Sequence, residues 1–295
     1  MDRLLDLSEA LAEAVDRAGR AVFAVHARPR VASSGVHWRS GLVVTANHTV
    51  EVDEELTVTR PDGQSTPATL VGRDPALDIA VLRVDADDVA TTAVGDSGGI
   101  RVGHMVLALG AGPRASWGVV SAFGAGRARH ADGDLVSLDL TLYPGFSGGP
   151  LVDSRGLVVG IATSGISRHL QLAIRAKAVD RVVDQLVRHG RVPQAYLGVS
   201  TQRVRLPEPL RAQLGLAQRT GAIVVEVQAE SPAAAGLLIG DVILSLDSSA
   251  IADPLDLRAV LRPEQIGRRV TATVVRAGSA REVQLTIGER PPRPR

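Results

Sequence analysis

Tyr143-Pro144-Gly145-Phe146-Ser147-Gly148-Gly149-Pro150, followed by Leu151-Val152-Asp153, is the stretch whose reading decides the fold. A serine among glycines, with a proline on each side, is a backbone suited to an unusual path. Glycine tolerates φ > 0 and close approach of another chain, so neighbouring amides can be turned to one side. Aimed at one point, the N–H groups of Gly145 and Ser147 make an oxyanion hole for a tetrahedral intermediate. The plainer reading is a glycine-rich turn with an incidental serine. The G-x-S-x-G spacing also fits the nucleophile elbow of α/β-hydrolases, but that elbow runs straight into a helix. Here Gly148-Gly149-Pro150 follows, then an apolar pair, the turn Asp153-Ser154-Arg155-Gly156 and the apolar run 157–163. Two apolar runs about a turn make a β-hairpin, so the elbow is excluded.

A nucleophilic serine needs a base and a group to orient that base. The β-branched run 41–46 leads directly to His48, where a side chain at a strand end can face a cleft. Further on, Asp78 heads the strongly apolar run 79–84, and a carboxylate beside such a run is seldom left without a partner. The order His48, Asp78, Ser147 is that of chymotrypsin, not of subtilisin or the α/β-hydrolases.

The segments Thr45-Ala46-Asn47-His48, Leu77-Asp78-Ile79-Ala80-Val81-Leu82 and Gly145-Phe146-Ser147-Gly148-Gly149-Pro150 resemble the catalytic blocks of HtrA/Deg-family serine proteases. Val94-Gly95-Asp96-Ser97 and the run 101–110 resemble a further block of that family. Two departures stand out. The family usually has Asn where Phe146 stands, and its glycine- and phenylalanine-rich loop is cut here to residues 111–116. The resemblance implies a trypsin-like serine endopeptidase of protein quality control, acting on unfolded or damaged polypeptides without a cofactor. Ser147 is then the nucleophile, His48 the base and Asp78 its orienter, with Gly145 and Ser147 as the oxyanion hole. Thr141 falls where trypsin-like enzymes place an acid at the base of the specificity pocket. A threonine cannot pair with Lys or Arg, so small or medium apolar residues are expected before the cleaved bond. The rival reading is a peptide-binding module carrying a silent or self-inhibited protease domain.

The expected fold is mainly β. The runs 41–46, 55–60, 68–71, 79–84, 105–109, 118–122, 135–142 and 157–163 are short, β-branched and free of intervening helices. That pattern argues for antiparallel barrels, and the resemblance implies two of the chymotrypsin type with the triad at their junction. Ahead of them, Leu4, Leu7, Leu11, Val15 and Ala18 recur at helical spacing, predicting an amphipathic helix over 2–19 that docks on the first barrel. Residues 21–27 form the first strand, 171–174 a strand beside a bound peptide, and 177–189 a helix stopped by Gly190.

The protease domain is thus expected over 1–190, a linker over 191–195 and an α+β PDZ domain over 196–290. In the latter, Tyr196-Leu197-Gly198-Val199 resembles a carboxylate-binding loop, whose backbone N–H groups capture the C-terminus of a peptide. Strands are predicted at 222–227, 240–247, 270–276 and 282–287, and a short capped helix at 231–237. A helix over 254–261 would wall the groove with Leu257 and Leu261. The proline-rich residues 291–295 are expected to be disordered.

Bulk composition narrows the classes. With 295 residues the chain can hold two cores, and 2% aromatic content means that Val, Leu, Ile and Ala must build them. A net charge of +1 makes no electrostatic case for nucleic acid or an acidic membrane surface. Zero cysteines exclude disulfides and thiolate metal sites, and no His/Asp/Glu set has metal-ligand spacing. His26, His37, His104, His130, His169 and His189 read as surface or packing residues. Met1-Asp2 is not followed by a basic start and an apolar run, and nothing approaches the ~20 apolar residues of a membrane span. A cytoplasmic location is the expectation. The resemblance also implies a homotrimer built on aromatic residues near the N-terminus, of which Phe23 is the one available.

Overall fold

The computed structural model describes residues 2–29, 31–112, 114–124, 133–167 and 169–291. The chain divides into two units, the first ending at Val192 and the second starting at Pro193.

The first unit opens with helix α1 (Asp2–Gly19) and then closes two six-stranded antiparallel barrels. The first barrel takes β1 (Val22–His26), β2 (Ser33–Arg39), β3 (Leu42–Ala46), β4 (Leu56–Thr59), β5 (Ser65–Asp74) and β6 (Ile79–Val84) in the order β1-β2-β3-β6-β5-β4. Alternation drives it: in β4, Leu56 and Val58 point inward and are buried, while Thr57 is exposed. Phe23, Val25, Val43, Leu82 and Ala80 complete that interior. Phe23 lies edge-on to the His37 ring with centroids 5.7 Å apart. It is wholly buried, so it does not offer the aromatic surface that the trimer expectation relied on.

The second barrel takes β7 (Met105–Gly110), β8 (Arg114–Phe123), β9 (Leu135–Asp139), β10 (Pro150–Asp153), β11 (Val158–Thr163) and β12 (Gln171–Arg175) in the order β10-β11-β12-β9-β8-β7. Its interior is aliphatic apart from Phe146. Helix α2 (Ala176–His189) buries Val179, Val182, Val183 and Leu186 and ends at Gly190, which adopts the left-handed conformation and donates its N–H to Leu186 O at 2.8 Å. Only the C-terminal half of α1 packs, through Leu11, Ala14, Val15 and Ala18, and it lies against β7 and β10 of the second barrel rather than on the first as expected. Leu4 and Leu7, read as part of the same stripe, are exposed.

The second unit is a five-strand path, β14 (Val199–Arg205), β15 (Thr220–Val227), β16 (Val242–Leu246), β18 (Arg269–Arg276) and β19 (Ser279–Thr286), with β14 at one edge. The short strand β17 (Ser249–Ala250) pairs with β16, and β13 (Ala195–Tyr196) pairs with β20 (Gly288–Glu289). Helix α3 (Glu208–Leu214) buries no side chain, which is why no apolar periodicity announced it. Helix α4 (Pro254–Val260) begins at Asp253, whose carboxylate accepts from Leu255 N at 2.8 Å and Asp256 N at 3.1 Å. The capped helix expected at 231–237 is only a 3₁₀ turn, Pro232–Ala235, and Ser231 does not cap it. The Ser231 hydroxyl faces Gly198 O instead, at 3.5 Å. In the tail, Arg290 donates its N–H to Gln194 O at 2.8 Å and lays its guanidinium over the Tyr196 ring. The expected disorder at 291–295 falls, from 292 on, outside the described residues.

One ion pair anchors this second core. Asp241, 1% exposed, accepts from Arg276 Nε and Nη2, each at 2.8 Å, and from Leu238 N at 2.8 Å. Burial alone pushes the Asp241 carboxyl up, but the Arg276 guanidinium and the Leu238 N–H outweigh it and hold the carboxyl below its ordinary value. Arg276→Ala is expected to destabilise this unit, because it leaves a buried carboxylate without its cation. A folded-state value below the unfolded one adds stability above roughly pH 4 that is lost as pH falls through the folded value. Denaturant melts of wild type and Arg276→Ala from pH 7 to pH 3 check both points: the gap should narrow toward acid, and a constant gap would refute the linkage.

Candidate active site

Strand register brings the first two site residues together. The β3–β6 ladder ends on the pair Ala46↔Ile79, so the residues just beyond each strand meet at the barrel rim. His48 sits in the 3₁₀ turn Asn47–Thr49, and Asp78 stands immediately before β6. Asp78 accepts from the His48 backbone N–H through Oδ1 and from His48 Nδ1 through Oδ2, both at 2.7 Å. Thr163 Oγ1 also donates to Oδ2. Held at Nδ1 by a buried carboxylate, the imidazole turns Nε2 toward the Ser147 side, the arrangement a general base requires. Asp78 itself has φ +57°, a left-handed conformation that costs a non-glycine residue energy and clusters at functional sites.

The loop around Ser147 is equally specified. Tyr143, Pro144, Gly145 and Phe146 form a β-turn closed by Phe146 N–H to Tyr143 O at 3.0 Å, with Gly145 at φ +92°. Proline second and a positive-φ glycine third is the type II pattern. Every carbonyl from Tyr143 to Ser147 is bonded: Pro144 O accepts from Arg114 Nη1 at 3.2 Å, Gly145 O from Ser34 Oγ at 2.6 Å, Phe146 O from Gly149 N at 2.9 Å and Ser147 O from Ser34 N at 3.1 Å. Among the described residues, the N–H groups of buried Gly145 and Ser147 find no acceptor. Buried donors are rarely left so, and these are the two an oxyanion would take.

Ser147 Oγ lies 2.9 Å from Ser164 Oγ, which is 3.5 Å from His48 Nε2. Among the described residues no hydrogen bond joins Ser147 Oγ to His48 directly, so in this state Ser164 bridges the two side chains. Sequence reading missed Ser164, although hairpin register could have found it. Pro150 pairs with Ile161 across β10 and β11, and three residues further on each strand Ser147 faces Ser164. Gly165 was missed as well. A Cβ there would lie 2.4 Å from His48 Nδ1 and 2.7 Å from Asp78 Oδ2, so the backbone after β11 packs flat on the pair. Thr141 is exposed in the segment between β9 and the turn.

The second unit carries the other candidate site. Gly198, at φ +83°, turns the chain between β13 and β14, and a Cβ on it would strike Ser231 Cβ at 2.2 Å. The turn's carbonyls are occupied, Leu197 O by Ala233 N and Gly198 O by Gln228 N, each at 2.8 Å. The N–H groups of Leu197 and Gly198 have no acceptor among the described residues. Tyr196 Oη donates to Gln228 Oε1, which steadies the loop. β14, which begins at Val199, is an edge strand with α4 packed alongside, and Leu257 is buried while Leu261 is partly so. An edge strand, an apolar helix face and free amides at one end are what strand addition of a peptide terminus needs.

Among the described residues, no group of three His, Asp or Glu side chains could hold a metal ion, and no helix is long and apolar enough to cross a membrane.

A family model for the trypsin-like peptidase domain matches residues 33–161, and one for the PDZ domain matches 195–287. The probable periplasmic serine endoprotease DegP-like of Brucella suis is 37% identical over 279 residues, covering 90% of this chain and 54% of that protein. Its namesake in Pseudomonas fulva is 35% identical over 263 residues, covering 86% and 54%. The chain therefore spans about half the length of the curated relatives it matches. Their naming overturns the cytoplasmic expectation, since it points to the periplasm. That expectation leaned on the residues after Met1, which carry no record of compartment once a leader is cleaved or lies outside the sequence. Among solved structures, the HtrA-type protease AlgW with a decapeptide aligns with a TM-score of 0.78 and 30% identity over 96% of this chain and 99% of that one. The serine endoprotease from Yersinia pestis aligns with a TM-score of 0.75 and 29% identity. With both barrels, the PDZ unit and nearly the full length of an HtrA-type protease matched, the chain belongs to the HtrA family of serine proteases.

Proposed function

We propose that this chain is a periplasmic serine endopeptidase that cuts unfolded polypeptides and recognises free C-termini through its PDZ domain. The observation that carries the reading is the loop around Ser147, where every carbonyl from Tyr143 to Ser147 is bonded and the amides of Gly145 and Ser147 are left open. Ser147 Oγ attacks the peptide carbonyl and gives its proton to His48 Nε2, exchanging its Ser164 partner for the imidazole. Asp78 holds the ring and stabilises the imidazolium that forms. The oxyanion settles against the two open amides, and His48 returns the proton to the leaving amine; water repeats the sequence on the acyl-enzyme. A fluorophosphonate should label Ser147 and leave Ser147→Ala unlabelled. Absence of labelling under any condition would favour the silent module instead, which the intact His48–Asp78 pairing argues against.

Thr141 cannot neutralise a cationic side chain, so the residue before the cleaved bond is expected to be Val, Ala or Leu. A peptide-library profile dominated by Arg or Lys would overturn that.

The PDZ groove is proposed to bind an apolar last residue with its free carboxylate on the amides of Leu197, Gly198 and Val199. Amidating the peptide places an N–H donor against N–H donors, a mismatch of about 1–3 kcal/mol, or roughly 5- to 150-fold in affinity. Fluorescence anisotropy on matched acid and amide peptides, with Ser147→Ala to prevent cleavage, measures it. Equal affinities would leave the loop as a mere strand opening.

A further inference from the structure

We propose that Arg114 is a positioning residue for the oxyanion hole, holding the Pro144–Gly145 peptide in the orientation that aims the Gly145 N–H at the substrate. The inference rests on the peptidase reading above and goes on to ask what keeps its amides in place.

The Pro144–Gly145 peptide is the central one of the 143–146 turn, and types I and II differ by a flip of that central peptide. Glycine at its second residue removes the steric bar to the flip, because φ of either sign is open to it. In a trans peptide the C=O and N–H point opposite ways. Flipping it would carry the Gly145 N–H away from the cleft and put the Pro144 carbonyl in its stead, an acceptor facing an oxyanion. What holds Pro144 O therefore decides whether the hole exists.

Arg114 is placed to do so by the shortened β7–β8 hairpin. Its Nη1 donates to Pro144 O at 3.2 Å and its Nε to Ala111 O at 3.0 Å. Its Cζ stands 5.5 Å over the centroid of Phe146, whose ring is buried in the second barrel and so close to Gly110 that a Cβ there would lie 3.0 Å away. Among the described residues no carboxylate pairs with Arg114; its contacts are two carbonyls and a ring. A planar fork suits that set, and an ammonium does not. Buried Ser34 laces the same parts together, accepting from Ala111 N at 2.8 Å and donating to Gly145 O. The two departures from the family pattern, Phe146 and the short loop, thus meet at one side chain.

The test uses the full chain, with hydrolysis of an apolar peptide substrate resolved into kcat and KM, and with affinity for a peptide boronate that mimics the tetrahedral state. Arg114→Ala is expected to lower kcat about 10-fold or more, bounded by the ~10²–10³ of losing an oxyanion donor outright. KM should stay within about twofold, boronate affinity should fall with kcat, and added guanidinium ion should restore part of the rate. Should Arg114→Ala melt early, Arg114→Lys carries the test, with an intermediate kcat expected because it reaches one carbonyl and loses the fork. Wild-type kcat in either folded variant, or a loss confined to KM, would overturn the proposal. A wild-type chain no more active than Ser147→Ala would instead sink the peptidase reading itself.

Discussion

Ser147→Ala is expected to abolish cleavage of an unfolded protein such as casein, with a rate loss on the order of 10⁴–10⁶, while the fold is unchanged. The hydroxyl is the only atom removed, and its partner Ser164 is left with the His48 contact. The neighbouring glycines and Ser34 hold the loop through backbone groups that the substitution does not touch. Circular dichroism and melting should therefore match wild type. Undiminished cleavage would mean that the nucleophile is elsewhere, and the whole assignment of His48 and Asp78 would fall with it.

A second large effect is expected at a residue with no side chain. Gly165 lies flat against the His48–Asp78 pair, so Gly165→Val must push the imidazole or break its bond to the carboxylate. A displacement on the order of 1 Å at a reacting group costs about 100-fold, and that is the expected loss in kcat. Gly165→Ala should fall between the two, since its Cβ already meets His48 Nδ1 at 2.4 Å. Peptide hydrolysis, normalised to the correctly folded fraction, gives the answer. A kcat within threefold of wild type for Gly165→Val would show that the pair tolerates movement and that the close packing has no catalytic consequence.

The site was legible in sequence where a functional residue stands at the end of a recognisable strand. His48 follows a β-branched run, Asp78 precedes an apolar one, and Ser147 opens a hairpin, so each could be placed before any pairing was known. The glycine stop of α2 and the Asp-Pro start of α4 were legible for the same reason, being written in adjacent residues. Ser164 was legible in principle, through register, and was passed over. The reach of α1 was not: its helical period runs the length of the segment, but only the turns from Leu11 on meet a surface to bury against.

What the sequence alone determined, then, is the set of local conformations: short strands, the turns between them and the positive-φ glycines, with the three candidate site residues at their ends. These follow from side-chain shape and backbone freedom over a few positions. Only the tertiary structure decided that Arg114 holds the turn carrying Gly145, that Ser34 ties the nucleophile loop to the β7–β8 hairpin, and that Gly165 presses on His48. Those contacts join residues far apart in the chain that carry no pattern of their own. They come into being when the barrels close, because closure fixes strand register and the sites of contact at the rims, and nothing shorter than a whole barrel sets that register.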